Sequence, residues 1–427
     1  MIAFLFPQDS LTSPQILVQT MLFKDVIGQQ EVKQQLVEMV QNNRLSHALL
    51  FLGKEGSGAL PLAMAFAQYV SLLPNKDQSP EASLFGESVE IKLPSTPEEA
   101  DAWIQKQPSF SKAEQLVHPD IHFSYPVIKR TTRSDEKPIS TDWITEWREF
   151  IRQFPYGNIY DWLQFIGAEN KQGNITAQEC NDIIRKLNLK SFESGYKILL
   201  MWMPEYLGKE GNKLLKMIEE PPADTSFILV AENESEILST ILSRCQLVKI
   251  PALEAIDIEQ NLISKKACSN EQAKQIANAS NGNYRESLNL MQHADEDFHG
   301  LLREWLNASL KNQTITQVKL IEEIGRLGRE KQKQFLKHFT HLIEQAVRMQ
   351  VAGDLLKEKL LNAMSSGEQD FVVRLNKAMS LEQKGAISEE LDKATYYIER
   401  NANAKILFHA LTIKIFHIVK NNIVITV

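Results

Sequence analysis

Gly53-Lys54-Glu55-Gly56-Ser57-Gly58-Ala59-Leu60-Pro61 decides the fold. It follows the apolar run Ala48-Leu49-Leu50-Phe51-Leu52 and precedes Leu62, Ala65, Phe66, Tyr69 and Val70, which recur at helical spacing. The run predicts a buried parallel strand, and the recurrence predicts a helix with one apolar face. Strand, glycine loop and helix in that order are the setting of a phosphate-binding loop. Such a loop uses a Lys to reach the β/γ-phosphates and a Ser or Thr to hold Mg²⁺. Those two positions are Ala59 and Leu60. A hydrogen bond to a charged group contributes roughly 1.5–3 kcal/mol, and neither side chain donates one. Pro61 removes a further backbone N–H, at little cost in a first helical turn. The reading is a P-loop fold with a disabled P-loop. The loop Gly53, Gly56, Gly58, Ala59, Leu60 is expected to be a plain strand-to-helix turn, with weak nucleotide binding through its N–H groups as the alternative. No cofactor and no metal are assigned to the chain.

A second strand independently indicates a silent site. Gly195-Tyr196 opens the apolar run Lys197-Ile-Leu-Leu-Met-Trp202. In an active P-loop ATPase the corresponding strand ends in acids that serve Mg²⁺ and water. Here it ends Trp202-Met203-Pro204, and the first carboxylate, Glu205, comes late and behind a proline. Two further strands are read at Ser226–Ala231 and Leu247–Ile250. Between the second and third, Leu207, Gly211, Leu214, Leu215 and Ile218 predict a helix that stops at Glu219-Glu220-Pro221-Pro222. Glu219 and Glu220 close that helix and are expected at a surface or interface. Ser243-Arg244-Cys245 stands just before the last strand; from the residues alone, Arg244 is a surface or core-edge arginine and Cys245 a small core residue.

Composition narrows the class. The chain has 427 residues, 43% hydrophobic and 24% charged, with a net charge of −7. These values fit an ordinary globular protein of two or three domains and disfavour a broad non-specific nucleic-acid surface. Cys180, Cys245 and Cys268 form no CxxC pair, which excludes a four-cysteine zinc module and a disulfide framework and fits a reducing cytoplasm. No run reaches the roughly 18 apolar residues of a membrane span. Residues 1–20 have no basic signal-peptide region and read as a disordered leader, with Met21 as an alternative start.

The remaining stretches carry weaker signals. Residues 71–140 are irregular, with one helix announced by Thr96-Pro97-Glu98-Glu99, an N-cap with Pro behind it and Glu at the third position. His118-Pro119-Asp120-Ile121-His122 invites a metal reading, but nothing nearby completes a ligand set, so a turn and strand are expected. Residues 140–195 read as helical, with Trp143, Trp147, Phe150 and Ile151 on one core-facing side. After Pro251 the chain is helical, with Gly282-Asn283-Tyr284-Arg285 starting one helix and long amphipathic runs at Phe335–Ala352 and Ile387–Val419.

Several pieces then fall into one order: Phe23…Val26-Ile27-Gly28-Gln29, His47-Ala48-Leu49-Leu50-Phe51, His118-Pro119-Asp120, Asn212-Lys213-Leu214-Leu215-Lys216…Glu219-Glu220-Pro221-Pro222 and Ser243-Arg244-Cys245. Together they resemble the AAA+ clamp-loader family of bacterial DNA polymerase III, most strongly over residues 21–75 and 195–295. The resemblance implies an α/β RecA-like AAA+ domain with a parallel sheet over 21–250, interrupted by the irregular insert 71–140 and the helical insert 140–195. A small helical lid over 251–297 and an all-α collar over 298–427 would follow. It further implies a non-hydrolysing subunit in a pentamer with clamp-loader ATPase (gamma/tau) subunits and a delta subunit, acting on a sliding clamp and primed DNA through the complex. In that frame Arg244 is a finger aimed at ATP on the neighbouring subunit. Arg285 would face the chain's own nucleotide, although a salt-bridged helix start suits a silent site better. Departures from the family pattern are the missing cysteines in 71–117, the long insert 140–195, and Ala231-Glu232 where a Thr or Asn is usual. An adaptor outside replication and an active ATPase with degenerate motifs are the rival classes.

Overall fold

The computed structural model describes residues 21–73, 93–130, 137–168, 171–292, 298–352, 357, 364, 366–399 and 402–421. The expected leader and residues 74–92 of the irregular insert lie outside them. The chain divides into two compact units, one ending at Leu290 and one beginning at Met291. The helices Ala255–Ser264 and Asn270–Ala279, expected as part of a lid, belong to the first unit.

The first unit is built on a sheet of β1 (Ala48–Gly53), β2 (Ile121–Ser124), β3 (Lys197–Trp202), β4 (Thr225–Ala231) and β5 (Gln246–Ile250), in the order β2-β3-β4-β1-β5. Every pairing is parallel, with Leu50 opposite Leu229 and Leu247, and Leu200 opposite Ile228. Successive side chains of a strand point to opposite faces, and the apolar runs feed two cores accordingly. Leu49, Phe51, Ile198, Leu200, Trp202, Ile228 and Val230 pack on one face. Ala48, Leu50, Leu199, Met201, Phe227 and Leu229 pack on the other. Covering both faces is what an all-parallel sheet needs. The helix Ala59–Ser71 lies in the first layer, and Ala177–Leu187 contributes Cys180, Ile183 and Leu187 to the second.

The His118–His122 stretch is the turn and strand that enter the sheet edge. The Asp120 carboxylate accepts backbone N–H groups from Phe192, Glu193 and Ser194 at 2.6, 2.7 and 2.8 Å, pinning the approach to β3. His122 is held neutral by burial, which lowers its pKa to about 4. Among the described residues no group of three His, Cys, Asp or Glu side chains is placed to hold a metal ion.

One expectation is corrected. The helix read through Leu207–Ile218 is broken: a 3-10 segment, Pro204–Leu214, gives way to a short α-helix, Leu215–Glu219. Gly208 interrupts it at φ 50°, ψ −138°, a conformation open essentially to glycine alone. The segment's start is held by Glu205, whose carboxylate accepts the N–H groups of Glu232 and Asn233 at 2.7 and 2.9 Å. In the second unit the run Ile387–Val419 is two helices, Leu381–Glu399 and Ala404–Asn421. The later one is capped by Asn403, whose side chain accepts from the Ile406 N–H at 3.3 Å.

The aromatic insert is core. Trp143, Trp147, Phe150 and Ile151 are buried, and Tyr125 stacks on Trp147 at 4.0 Å. Trp147 also meets Trp162 at 5.4 Å and the β3 residue Trp202 at 5.3 Å, so the insert is packed on the sheet itself. Trp147→Ala should therefore lower unfolding stability by about 3–5 kcal/mol. Urea denaturation checks this, and a loss below about 1 kcal/mol would mean the insert folds independently of the sheet.

Among its described residues the second unit's regular elements are helices, with a core around Trp305, Phe335, Phe339 and Phe408. The Trp305 indole N–H donates to Thr412 Oγ1 at 2.9 Å, satisfying the polar tip of a fully buried ring. Among the described residues no helix is long and apolar enough to cross a membrane.

Candidate functional site

β1 ends at Gly53, and the next helix begins at Ala59, so the glycine loop spans the interval expected of it. Gly56 at φ 70° and Gly58 at φ 91° take left-handed conformations that favour glycine. Ala59 and Leu60 are buried in the first core and line the loop's small cavity with apolar groups. At the end of β3, Trp202 and Met203 are likewise buried, and Glu232 follows the end of β4. The loop thus joins strand to helix through two left-handed glycines, and apolar Ala59 and Leu60 open the helix.

The insert closes over this loop. The Tyr156 hydroxyl accepts the Ile27 N–H at 2.8 Å, and its ring edge lies 3.1 Å from where a Cβ on Gly58 would stand. Among Gly53, Gly58, Tyr156, Trp202 and Glu232 the remaining cavity is about 20 Å³, room for one water. Beside it Arg285 is buried and forms a two-pronged ion pair with Asp161, Nε to Oδ2 at 2.5 Å and Nη2 to Oδ1 at 2.6 Å. Its Nη1 donates to Glu55 at 3.2 Å. Glu55 also accepts from Asn158 at 2.9 Å and from Asn283 at 3.3 Å. The Tyr284 N–H donates to the Gly56 carbonyl at 3.1 Å, and Gln29 donates to the carbonyls of Ser57 and Pro251 at 3.0 and 2.7 Å. Loop, insert and the helices of residues 255–290 are one hydrogen-bonded assembly.

Glu232 faces this cluster of charge. Burial raises its carboxyl from 4.5 to about 8, with Glu55 and Glu205 adding to the rise and Arg285 opposing it. The folded chain thus holds this proton more tightly than the unfolded chain, and stability is lost as pH rises from 4.5 to about 8. Glu232→Gln should match the wild type at the acid end of that window and exceed it at the alkaline end. Urea melts at the two limits check this, and an equal difference at both would contradict it.

Arg244 lies elsewhere. It follows the short helix Ser239–Leu242, is partly exposed, and lines an open concavity with His47, Glu219 and Ser243. Its Nε donates to Glu219 at 2.6 Å and its Nη1 to the Thr240 carbonyl at 2.7 Å. Glu219 and Glu220 are exposed. Cys245 is half-buried against the second core, and burial pushes its thiol up to about 11. Sequence reasoning missed Tyr156, Asn158 and Asp161. Asn158 and Asp161 form a capping box at the start of Ile159–Phe165, a signal visible in the sequence, but it marks the helix start and not its partners.

The family model described as DNA polymerase III, delta subunit, matches residues 28–254, just over half of the chain. DNA polymerase III subunit delta' of Bacillus subtilis is 24% identical over 265 residues, 62% of this chain and 60% of that protein. DNA polymerase III subunit gamma of Buchnera aphidicola subsp. Schizaphis graminum is 35% identical over 138 residues, 31% of this chain and 38% of that protein. The chain therefore spans under two thirds of either relative. Among solved structures it is similar to a DNA polymerase III gamma subunit-related protein of Thermotoga maritima, with 13% identity, a TM-score of 0.34, and coverage of 89% and 98% of the two chains. With its glycine loop, parallel sheet and matched residues 28–254, the chain belongs to the DNA polymerase III delta-subunit family of clamp-loader proteins.

Proposed function

We propose that this chain is a clamp-loader subunit that does not hydrolyse ATP and that completes a neighbouring subunit's ATP site with Arg244. The observation that carries the reading is the separation of two features. The chain's own loop has apolar side chains where phosphate and Mg²⁺ ligands belong, and its cavity holds about one water. Arg244 lies outside that cavity's lining, partly exposed in a surface concavity. A guanidinium supplied from outside stabilises charge on a transferring phosphoryl group.

In this reading residues 21–250 are the AAA+ domain, 251–297 its lid and 298–427 the collar through which the subunit assembles. Its partners are gamma/tau ATPase subunits and a delta subunit, and it meets the sliding clamp and primed DNA through the complex, in the cytoplasm. Co-expression with those subunits and affinity capture of this chain tests it. Stoichiometric recovery of both kinds of partner is expected. Their absence, with other proteins recovered in their place, would favour an adaptor outside replication.

A further inference from the structure

We infer that the segment Tyr156–Asp161 is a built-in substitute for a bound anion, occupying the mouth of the glycine loop and holding the helices of residues 255–290 to the sheet without any ligand. A glycine loop between strand and helix presents backbone N–H groups that favour negative charge, and an arginine beside it is the natural partner of a phosphate. Here Arg285 finds that partner within the chain. Asp161 meets the Arg285 guanidinium with two parallel bonds, at 2.5 and 2.6 Å, the fork geometry a carboxylate or a phosphate would adopt. Tyr156 stands over Gly58 and accepts the Ile27 N–H, and its ring meets Tyr284 at 4.8 Å. Asn158 completes the contact through Glu55, which Arg285 and Asn283 also reach.

Charge supports the same inference. Asp161 and Glu55 bond the guanidinium of Arg285, and nearby, burial with the neighbouring carboxylates already disfavours a charge on Glu232. A polyphosphate entering here would have to displace Asp161 and meet the Glu55 carboxylate. Bonds spanning 103 to 230 positions in sequence link loop, insert and later helices. The link that a nucleotide could supply between sheet and helices is thereby made permanent. This does not rest on the role proposed for Arg244, which stays untouched in the test.

The full chain alone is sufficient for the experiment, with inorganic pyrophosphate and ADP as probes. The wild type should show no rise in melting temperature with either probe at millimolar concentration. Asp161→Asn keeps the shape and removes the charge. Amides of residues 255–290 should then exchange about 10- to 100-fold faster, the scale of a lost hydrogen bond to a charged group, while those of β1, β3 and β4 keep their protection. Pyrophosphate should raise the melting temperature of Asp161→Asn in a dose-dependent way, and adding Arg285→Ala should abolish that response. Tyr156→Phe, a milder change that removes only the acceptor of the Ile27 N–H, should speed exchange at Ile27. A wild type stabilised by ADP or pyrophosphate as strongly as Asp161→Asn would overturn the inference. So would unchanged exchange in both variants.

Discussion

Arg244→Ala should leave the chain folded and able to assemble while slowing ATP hydrolysis at one interface of the clamp loader by on the order of 10³–10⁵, about 4–7 kcal/mol of transition-state stabilisation. The side chain pairs with groups at the surface. It is 32% exposed, and its carboxylate partner is Glu219, itself 44% exposed. An ion pair this exposed contributes about 0–1 kcal/mol, so exchanging Glu219 for a phosphate costs little beside the gain. The fold should tolerate the loss for the same reason, since no buried charge is stranded. Arg244→Lys should recover little activity, because an ammonium lacks the planar fork that grips two phosphate oxygens. Total ATP turnover should fall only in part, because this chain would complete one interface of several, and clamp loading under limiting ATP is the sharper readout. Loading at the wild-type rate with Arg244→Ala would remove the outward role.

Removing the second unit should be equally severe for assembly. A chain ending near residue 296 keeps the sheet and both of its cores, none of whose members lies beyond that point. It loses the helical unit, whose core is separate. Within that unit the helices Thr314–Arg326 and Ala404–Asn421 pack on one another and leave Ile315 89%, Ile406 70% and Ile413 58% exposed. Apolar side chains this open are suited to a partner's surface. The shortened chain should give a native circular dichroism spectrum and a cooperative melt, yet fail to co-elute with the ATPase and delta subunits. Retained co-elution would move the assembly surface into the first unit.

The parts legible in sequence were those written in local periodicity. Ala48–Leu52, Lys197–Trp202 and the two later runs are strands because a continuous apolar run suits a sheet buried on both faces. The aromatic stripe from Trp143 to Ile151 is core because helical spacing puts those rings on one side. The break at Gly208 was hidden because the apolar spacing continues across it while the backbone does not. The closure of the loop was hidden for a different reason. Asp161 and Arg285 are 124 positions apart, and no local pattern in either stretch names the other. Arg285 reads as a salt-bridged helix start whose partner the sequence does not name, and the packing of the insert on Trp202 brings Asp161 to it.

If this chain is silent at its own loop and active at a neighbour's, single-turnover hydrolysis of ATP bound to gamma/tau subunits will separate the two sites. The chain alone should hydrolyse nothing above background, and adding it to the other subunits should accelerate hydrolysis at one site per complex. Arg244→Ala, assembled to the same extent, should not. Turnover by the isolated chain, or equal acceleration by wild type and Arg244→Ala, would contradict the claim.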